Sequence, residues 1–479
     1  MKTISYNNKK VVKVAVRLFT LAFLLTTVTS CGIYKKYERP ESATANVDFD
    51  NVMRDASLYA NTTDSLSFAD VAWREVFTDP QLQKLIEQGL ENNVDVYEAA
   101  ANAKKLEEAL KSARLAFLPS VMFTPQGDLS NVFAGQNRSK SWSRTYALPI
   151  TASWNVDIFG KILATKRNAQ VSLEMMKDYQ QATRSGIICG VANTYYTLLM
   201  LDRQLEILQD MEKLTRETYE MMKLQKELRG ARETSVVSAQ AANLGIQSSI
   251  VDMKRQILAT ENALSLLIGQ QAQTISRGKL EDQTMPEKFS IGYPVRILTM
   301  RPDVHAAEMK LAACFYDIEA ARASFLPGLN ITAMGGFTNQ LGNVVNPGNW
   351  IADFMGSLTQ PIFQNGKLRY QLRAAKIDYE VAEKEWEHSI LNAGAEVSDA
   401  LVEYNSSKAK GEIDRQQVEV LKKSVDYTRE LFQMGSSSYL EVLTAQSNLL
   451  NAEIAQVTDD FNKMQAVVNL YSALGGGSN

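Results

Sequence analysis

Residues Ala113 to Met122 read ARLAFLPSVM, and residues Ala321 to Asn330 read ARASFLPGLN. In both, a helical pattern runs into Phe-Leu-Pro, where the prolyl ring removes a backbone donor and pushes the preceding residue toward extended geometry. Sliding the chain along itself by about 206 residues aligns more pairs. Asp95-Val96 falls on Asp303-Val304, Ile158-Phe159 on Ile362-Phe363, Gly160-Lys161 on Gly366-Lys367, Ala239-Gln240 on Ala445-Gln446 and Gly269 on Gly475, with offsets between 204 and 208. Landmarks in one order at a near-constant offset indicate an internal duplication.

Each half predicts helix, two strands, long helix, turn, long helix. Leu440, Leu443, Ser447, Leu450, Ile454, Val457, Phe461, Met464, Val468 and Tyr471 step by threes and fours, the spacing of a coiled-coil seam. The same steps run through Ile187, Val191, Thr194, Leu198, Leu201, Leu205 and Leu208, and through Ile246, Ile250, Met253, Ile257, Thr260, Leu264 and Leu267. A helix from about 165 to 228 is roughly 95 Å long, more than a compact globule needs.

After each Phe-Leu-Pro the period changes to two. Tyr146, Leu148, Ile150, Ala152, Trp154, Val156 and Ile158 alternate with small and polar residues. Weaker alternations run through Val121, Phe123 and Pro125, through Leu329, Ile331 and Ala333, and through Trp350, Ala352, Phe354, Gly356 and Leu358. Strands are expected near 120–130, 144–159, 328–338 and 350–363. A sheet with one face in water carries this pattern; so does a membrane sheet, lipid on one face and a wet lumen on the other. In lipid, four strands cannot close a barrel, and open edges leave peptide groups unsatisfied at several kcal/mol each. Several chains then have to pool their strands.

The first 30 residues carry five cations and no acid, then the apolar run Leu18 to Leu25, then Val28-Thr29-Ser30-Cys31. This predicts an export signal with a lipobox-like end, so that Cys31 becomes a lipidated first residue. A single acyl signal holds a protein only weakly. The chain of 479 residues has net charge −3, leaving −8 from Cys31 onward and disfavouring nucleic acid as a partner. Cys189 and Cys314 fall singly in helical patterns and read as core residues. Glu385 with His388 and His305 with Glu308 have helical ligand spacing, but a di-iron site needs two correctly oriented pairs and two further carboxylates; no metal, cofactor or catalytic set is expected.

Further motifs are Trp73 through Phe77-Thr78-Asp79-Pro80, Asn93-Val94-Asp95, Trp154 to Gly160, Arg301-Pro302-Asp303-Val304 to Glu308, and Gly435 through Tyr439-Leu440-Glu441-Val442-Leu443 to Ala445-Gln446. Taken together with the Phe-Leu-Pro breaks, they resemble those of the TolC-like outer membrane factors, in particular the NodT-type efflux lipoproteins serving resistance-nodulation-division (RND) pumps. The resemblance implies a mainly α fold with transmembrane β structure. In it a homotrimeric, 12-stranded outer-membrane β-barrel continues into a periplasmic α-helical coiled-coil barrel with a mixed equatorial domain. It implies a signal peptide at 1–30, an N-terminal periplasmic segment at 31–79, repeats at 80–270 and 302–475, an equatorial linker at 271–301 and a tail at 476–479. The acidity of the mature chain would favour cations in such a lumen.

The turns Leu228 to Thr234 and Met434 to Tyr439 place Gly where a helix stops and Ser or Thr where the next is capped. The resemblance makes Arg229, Gly230, Ala231, Met434, Gly435, Ser436 and Ser437 adaptor-docking residues at the periplasmic tip. Because the Gly to Ala-Gln spacing is one residue shorter in the first copy, the turns are expected to differ. Similar proteins often read Asp-Ala-Gln-Arg after the second turn, where this chain has Thr444-Ala445-Gln446-Ser447. An ionic gate is therefore replaced in expectation by an apolar Leu440 ring, with Glu441 and Thr444 beside it. Pro119 and Pro327 become the transitions from periplasmic helix to membrane strand. The implied function is a passive exit duct for drugs or other toxic small molecules, partnered by a periplasmic adaptor and an inner-membrane RND transporter. The alternatives are the duct of a type I protein secretion system and a lipid-anchored periplasmic scaffold without a pore.

Overall fold

The computed structural model describes residues 35–40, 68–132, 141–228, 232–286, 301–338 and 350–477. In chain order these form helices α1 (Trp73–Val76), α2 (Pro80–Asn92) and α3 (Val94–Leu115), then strands β1 (Ser120–Phe123), β2 (Gln126–Val132) and β3 (Ser141–Val156). Helices α4 (Lys161–Glu227), α5 (Glu233–Leu267) and α6 (Pro302–Ala323) follow, then β4 (Gly328–Thr338), β5 (Trp350–Thr359), α7 (Lys367–Gln433) and α8 (Tyr439–Ala473). The duplication is residue-exact in the helices. Helices α3 and α6 have 22 residues each, α4 and α7 have 67, and α5 and α8 have 35. At ~1.5 Å per residue α4 and α7 are each about 100 Å long. None of the helices among the described residues is long and apolar enough to cross a membrane.

The chain divides into two units. The first contains the described residues of Met1–Pro40, Lys105–Leu173 and Met309–Glu383, and is built on one antiparallel sheet. Strands β1 and β2 both pair with β3 in a single register, Phe123 opposite Ile150 and Gln126 opposite Ala147. They are one predicted strand interrupted at Pro125, which has no donor for the ladder; next to it Thr124 N still donates to Pro149 O at 3.2 Å. Strand β3 then pairs with β4, and β4 with β5, so the sheet is four strands wide. The fourth strand ends at Thr359 rather than near 363, because Pro361 cannot extend it. The second strand spans Ser141–Val156 rather than 144–159.

The second unit contains the described residues of Glu41–Lys104, Glu174–Glu308 and Lys384–Asn479 and is helical. The predicted seam on α4 is its core: Ile187, Val191, Leu198, Leu201 and Leu208 are buried, each fully buried Leu stabilising the fold by roughly 2–3 kcal/mol. On α8 the prediction fails near the second turn. Leu440 is 68% exposed, while Val442, Ala445, Leu449 and Ala452 are buried. The sequence shows two apolar stripes there, and the one covered by this chain packs on Val418 and Val425 of α7 and on Leu214 of α4.

The motifs of this unit explain its joints. Asp79 caps α2 by accepting from Gln81 N at 2.8 Å, with Pro80 at the first helical position. Asp79 also accepts from Tyr195 Oη at 2.6 Å and from Gln283 Nε2 at 2.9 Å. Asn93 caps α3 through Asp95 N at 2.7 Å and donates to Leu267 O at the end of α5, 2.8 Å away. In the second copy Arg301 donates to Ala473 O at 2.9 Å, at the end of α8. The same joint is thus made by an amide in one half and a guanidinium in the other.

Candidate functional site

Three places carry the features that function would need: the sheet face, the Phe-Leu-Pro breaks and the second helical turn. The pairing registers put all four apolar alternations on one face of the sheet. Val121 lies opposite Ala152 and Phe123 opposite Ile150; Trp154 lies opposite Ile331 and Leu148 opposite Phe337; Leu329 lies opposite Leu358 and Phe337 opposite Trp350. The other face reads Ser153, Thr151 and Asn155 against Thr332, Met334 and Asn330. The apolar face is uncovered: Val121, Phe123, Ile150, Trp350, Phe354 and Leu358 are all more than half exposed. So large a contiguous apolar patch on strands of 10 and 11 residues fits hydrocarbon and not water.

At each break the chain leaves the helix through a short turn. Leu118 N donates to Leu115 O at 2.9 Å and Leu326 N to Ala323 O at 3.0 Å; β1 and β4 start at the residue after Pro119 and Pro327. The Phe carbonyl freed by the helix end is satisfied from the sheet in both copies. Trp154 Nε1 donates to Phe117 O at 2.8 Å, and Gln360 Nε2 donates to Phe325 O at 2.8 Å. Trp154 and Gln360 are equivalent under the 206-residue offset but chemically unlike, which hid the pair from sequence comparison.

Met434 to Ser438 form the second turn. Gly435, at φ +74°, ends α7 in a left-handed conformation that disfavours residues with a Cβ. Ser436 N reaches back to Leu431 O at 2.8 Å and Gly435 N to Phe432 O at 3.0 Å, a Schellman motif. Ser438 then caps α8: Glu441 N donates to its Oγ at 3.4 Å while Glu441 Oε2 accepts from Ser438 N at 3.1 Å and from the Ser437 hydroxyl. The Ser437 hydroxyl, and after it the Ser438 amide, hold the Glu441 carboxyl below the usual carboxylate range. Glu441 is therefore engaged within its own turn, while the exposed Leu440 beside it is covered by nothing among the described residues. Thr444 Oγ1 donates to Leu440 O at 2.8 Å, bonding back along the helix.

The first turn differs, though not as its glycine spacing suggested. Both linkers are five residues long, 228–232 and 434–438. The expected Thr234 cap is instead inside α5, and Arg232 occupies the capping position with no side-chain bond. Arg229, Gly230 and Ala231 lie outside the described residues, as does Cys31. Beneath the turns Met222, Val236, Ala239, Phe432 and Val442 form one apolar cluster, and Gln446 Nε2 donates to Thr218 Oγ1 at 3.0 Å. Buried Asn243 donates to Thr215 Oγ1 at 3.0 Å and to Glu212 O at 3.1 Å.

The residues weighed for other chemistry have structural environments. His305 Nδ1 lies 2.6 Å from Asp178 Oδ2. Cys189 is buried, which pushes its thiol up to about 12; Cys314 is half-buried. No cluster of three or more metal-ligating side chains occurs among the described residues. Sequence reading missed two features. Arg277 bridges Asp202 at 2.5 Å and Glu261 at 2.5 Å. Val237, Leu244, Val251 and Leu258 on α5, and Ile413, Val420 and Tyr427 on α7 with Met434 just past its end, are exposed at strict seven-residue spacing, a signal a heptad count at other phases would have found.

The profile of the family described as outer membrane efflux protein matches residues 85–270 and again 293–476, the two repeats in turn. Among curated proteins, the chain is 27% identical over 466 residues to the probable efflux pump outer membrane protein TtgC of Pseudomonas putida, covering 96% of this chain and 95% of that one. It is 26% identical to the cation efflux system protein CusC of Escherichia coli K12, covering 94% of this chain and 97% of that one. Among solved structures, the outer-membrane channel OprN superposes with TM-score 0.82 at 23% identity, covering 93% of this chain and 99% of that one.

Proposed function

The chain belongs to the outer membrane efflux protein family, with the TolC-like channel fold, and from that premise we propose that three copies assemble into the exit duct of a tripartite pump. The observation that carries this is the four-strand sheet, apolar on one face, with that face uncovered and both edges open among the described residues. Three copies supply twelve strands and close every edge, as hydrocarbon demands. The heptad stripes supply the matching helical contact: α5 of one copy packs its Val237, Leu244, Val251 and Leu258 against Ile413, Val420 and Tyr427 on α7 of the next, with Met434 just past the end of that helix.

In this assembly the turn at Met434 to Ser437, with that at Arg229 to Ala231, presents the surface on which a periplasmic adaptor docks, and an inner-membrane RND transporter supplies the energy. The duct itself is passive, holds no cofactor and catalyses nothing. Three Leu440 side chains, uncovered in the single chain, converge as an apolar constriction, since Thr444 and Ser447 provide no ionic ring. Lipidated Cys31 adds a second attachment to the barrel. Relatives named for toluene, antibiotic and cation efflux favour small toxic molecules over proteins as cargo. Native mass spectrometry of the detergent-solubilised protein tests the assembly. The expected result is a trimer that Leu244→Glu with Val251→Glu reduces to monomer; a wild-type monomer, or a trimer indifferent to both charges, would overturn it.

A further inference from the structure

The ends of the helices that border the sheet carry an unusual charge. In the three turns next to it (105–115, 161–171, 313–323 and 367–377) there are eleven Lys and Arg against four Asp and Glu, in a chain that is acidic beyond its signal segment. The first three turns of α4 and α7 hold seven cations and no acid. Cations there oppose the helix macrodipole, which favours acids at an N-terminus, so the arrangement is not explained by helix stability. Lys166, Arg369, Arg373 and Lys376 have no ion-pair partner among the described residues. Arg369, Arg373 and Lys376 recur at i, i+4 and i+7, hence on one helix face, and all three are exposed.

Two further observations fit a lipid surface beside this belt. Ile362 and Phe363, just before α7, are 95% and 81% exposed, as suits side chains at the edge of hydrocarbon. The segment 35–40, with Lys35, Lys36 and Arg39, packs on the same unit: Arg167 Nη1 donates to Lys35 O at 3.0 Å, and Tyr37 N donates to Tyr316 Oη at 3.2 Å. Cys31 is four residues upstream, so an acyl chain on it enters the membrane within about 14 Å of Lys35.

We propose that this basic collar, formed by Lys35, Lys36, Lys166, Arg167, Arg369, Arg373 and Lys376, binds the headgroups of anionic phospholipids in the periplasmic leaflet of the outer membrane. This rests on the outer-membrane channel reading and deepens it: the apolar sheet face selects hydrocarbon, and the collar selects headgroup charge. Lys161 and Lys367 line a separate cleft of about 660 Å³ with Asp157 and Gln371 and are not assigned to it.

The test uses the full-length lipidated protein in phosphatidylcholine vesicles, with spin-labelled phosphatidylglycerol or spin-labelled phosphatidylcholine as probe, and reads the motionally restricted fraction of each. Phosphatidylglycerol is expected to be enriched roughly threefold over phosphatidylcholine at low salt and to lose that preference at 1 M salt. The triple variant Arg369→Gln, Arg373→Gln, Lys376→Gln should abolish most of the preference, and Lys35→Gln with Lys36→Gln should abolish part of it should the triple variant fold poorly. Lys254→Gln should change nothing, and Cys31→Ser should retain the preference. A wild type that restricts both lipids equally, basic variants with the full preference, or loss in Cys31→Ser alone would overturn the proposal. A wild type that restricts neither lipid would instead overturn the membrane reading beneath it.

Discussion

At the scale of single residues, two positions give sharp predictions. Leu440 is exposed and stands beside Glu441, whose carboxylate is taken up by capping. Leu440→Ala should therefore raise closed-state conductance and antibiotic uptake, and unchanged values for both would remove Leu440 from the gate. His305 is held protonated to higher pH, first by its bond to Asp178 and then by the charges of Asp178, Glu308 and Glu174, against a smaller opposing effect of burial. Its folded pKa is raised, so its stabilisation is complete below the unfolded value of about 6.5 and is lost as pH rises through the higher folded value. The loss of thermal stability in His305→Gln should accordingly be larger at pH 6 than at pH 9. An equal loss at both would mean that the ring acts by packing alone.

At the scale of elements, the helix-to-strand breaks are the joints on which both repeats turn. Trp154→Phe and Gln360→Leu each remove one donor from a Phe carbonyl freed by the helix end. Each should cost about 1 kcal/mol, seen as faster backbone hydrogen exchange around Phe117 or Phe325 respectively; no change in either would make these bonds incidental. What could be read beforehand follows from which forces leave periodic traces. Burial against lipid writes a period of two, so the strands and their apolar face were legible down to the fourth strand's start at Trp350. Loss of a donor at proline marked Pro119 and Pro327, but Pro125 and Pro361 act in the same way and were not used. Joints made by unlike residues, Trp154 with Gln360 and Asn93 with Arg301, leave no repeated letter and could not be found by self-alignment. The cap at Ser438 was legible because its partner Glu441 stands three residues on. At the first turn the glycine misled, since Gly230 is not at the position equivalent to Gly435. The α8 seam was misplaced for a different reason: two apolar stripes coexist near the second turn, and the sequence does not say which of them its own chain covers.

At the scale of the whole molecule, one chain is an incomplete object. Among the described residues its sheet has an uncovered apolar face and two unpaired edges, and α5 and α7 each show an apolar stripe left bare. On the proposed reading both deficits are made good by the same act, the addition of identical copies, and a symmetric ring is favoured over an unrelated cover. The lipid anchor expected at Cys31 is then an accessory to a barrel that already holds the membrane, and Cys31→Ser should still insert when refolded into vesicles. On the proposed reading the assembled chains enclose a water-filled path through the membrane. Single-channel recording in a planar bilayer, with the purified full-length assembly added to one side, measures that path most directly. Discrete conductance steps, made larger by Leu440→Ala, are the predicted result; a stably inserted assembly that passes no current under any voltage or pH would contradict it.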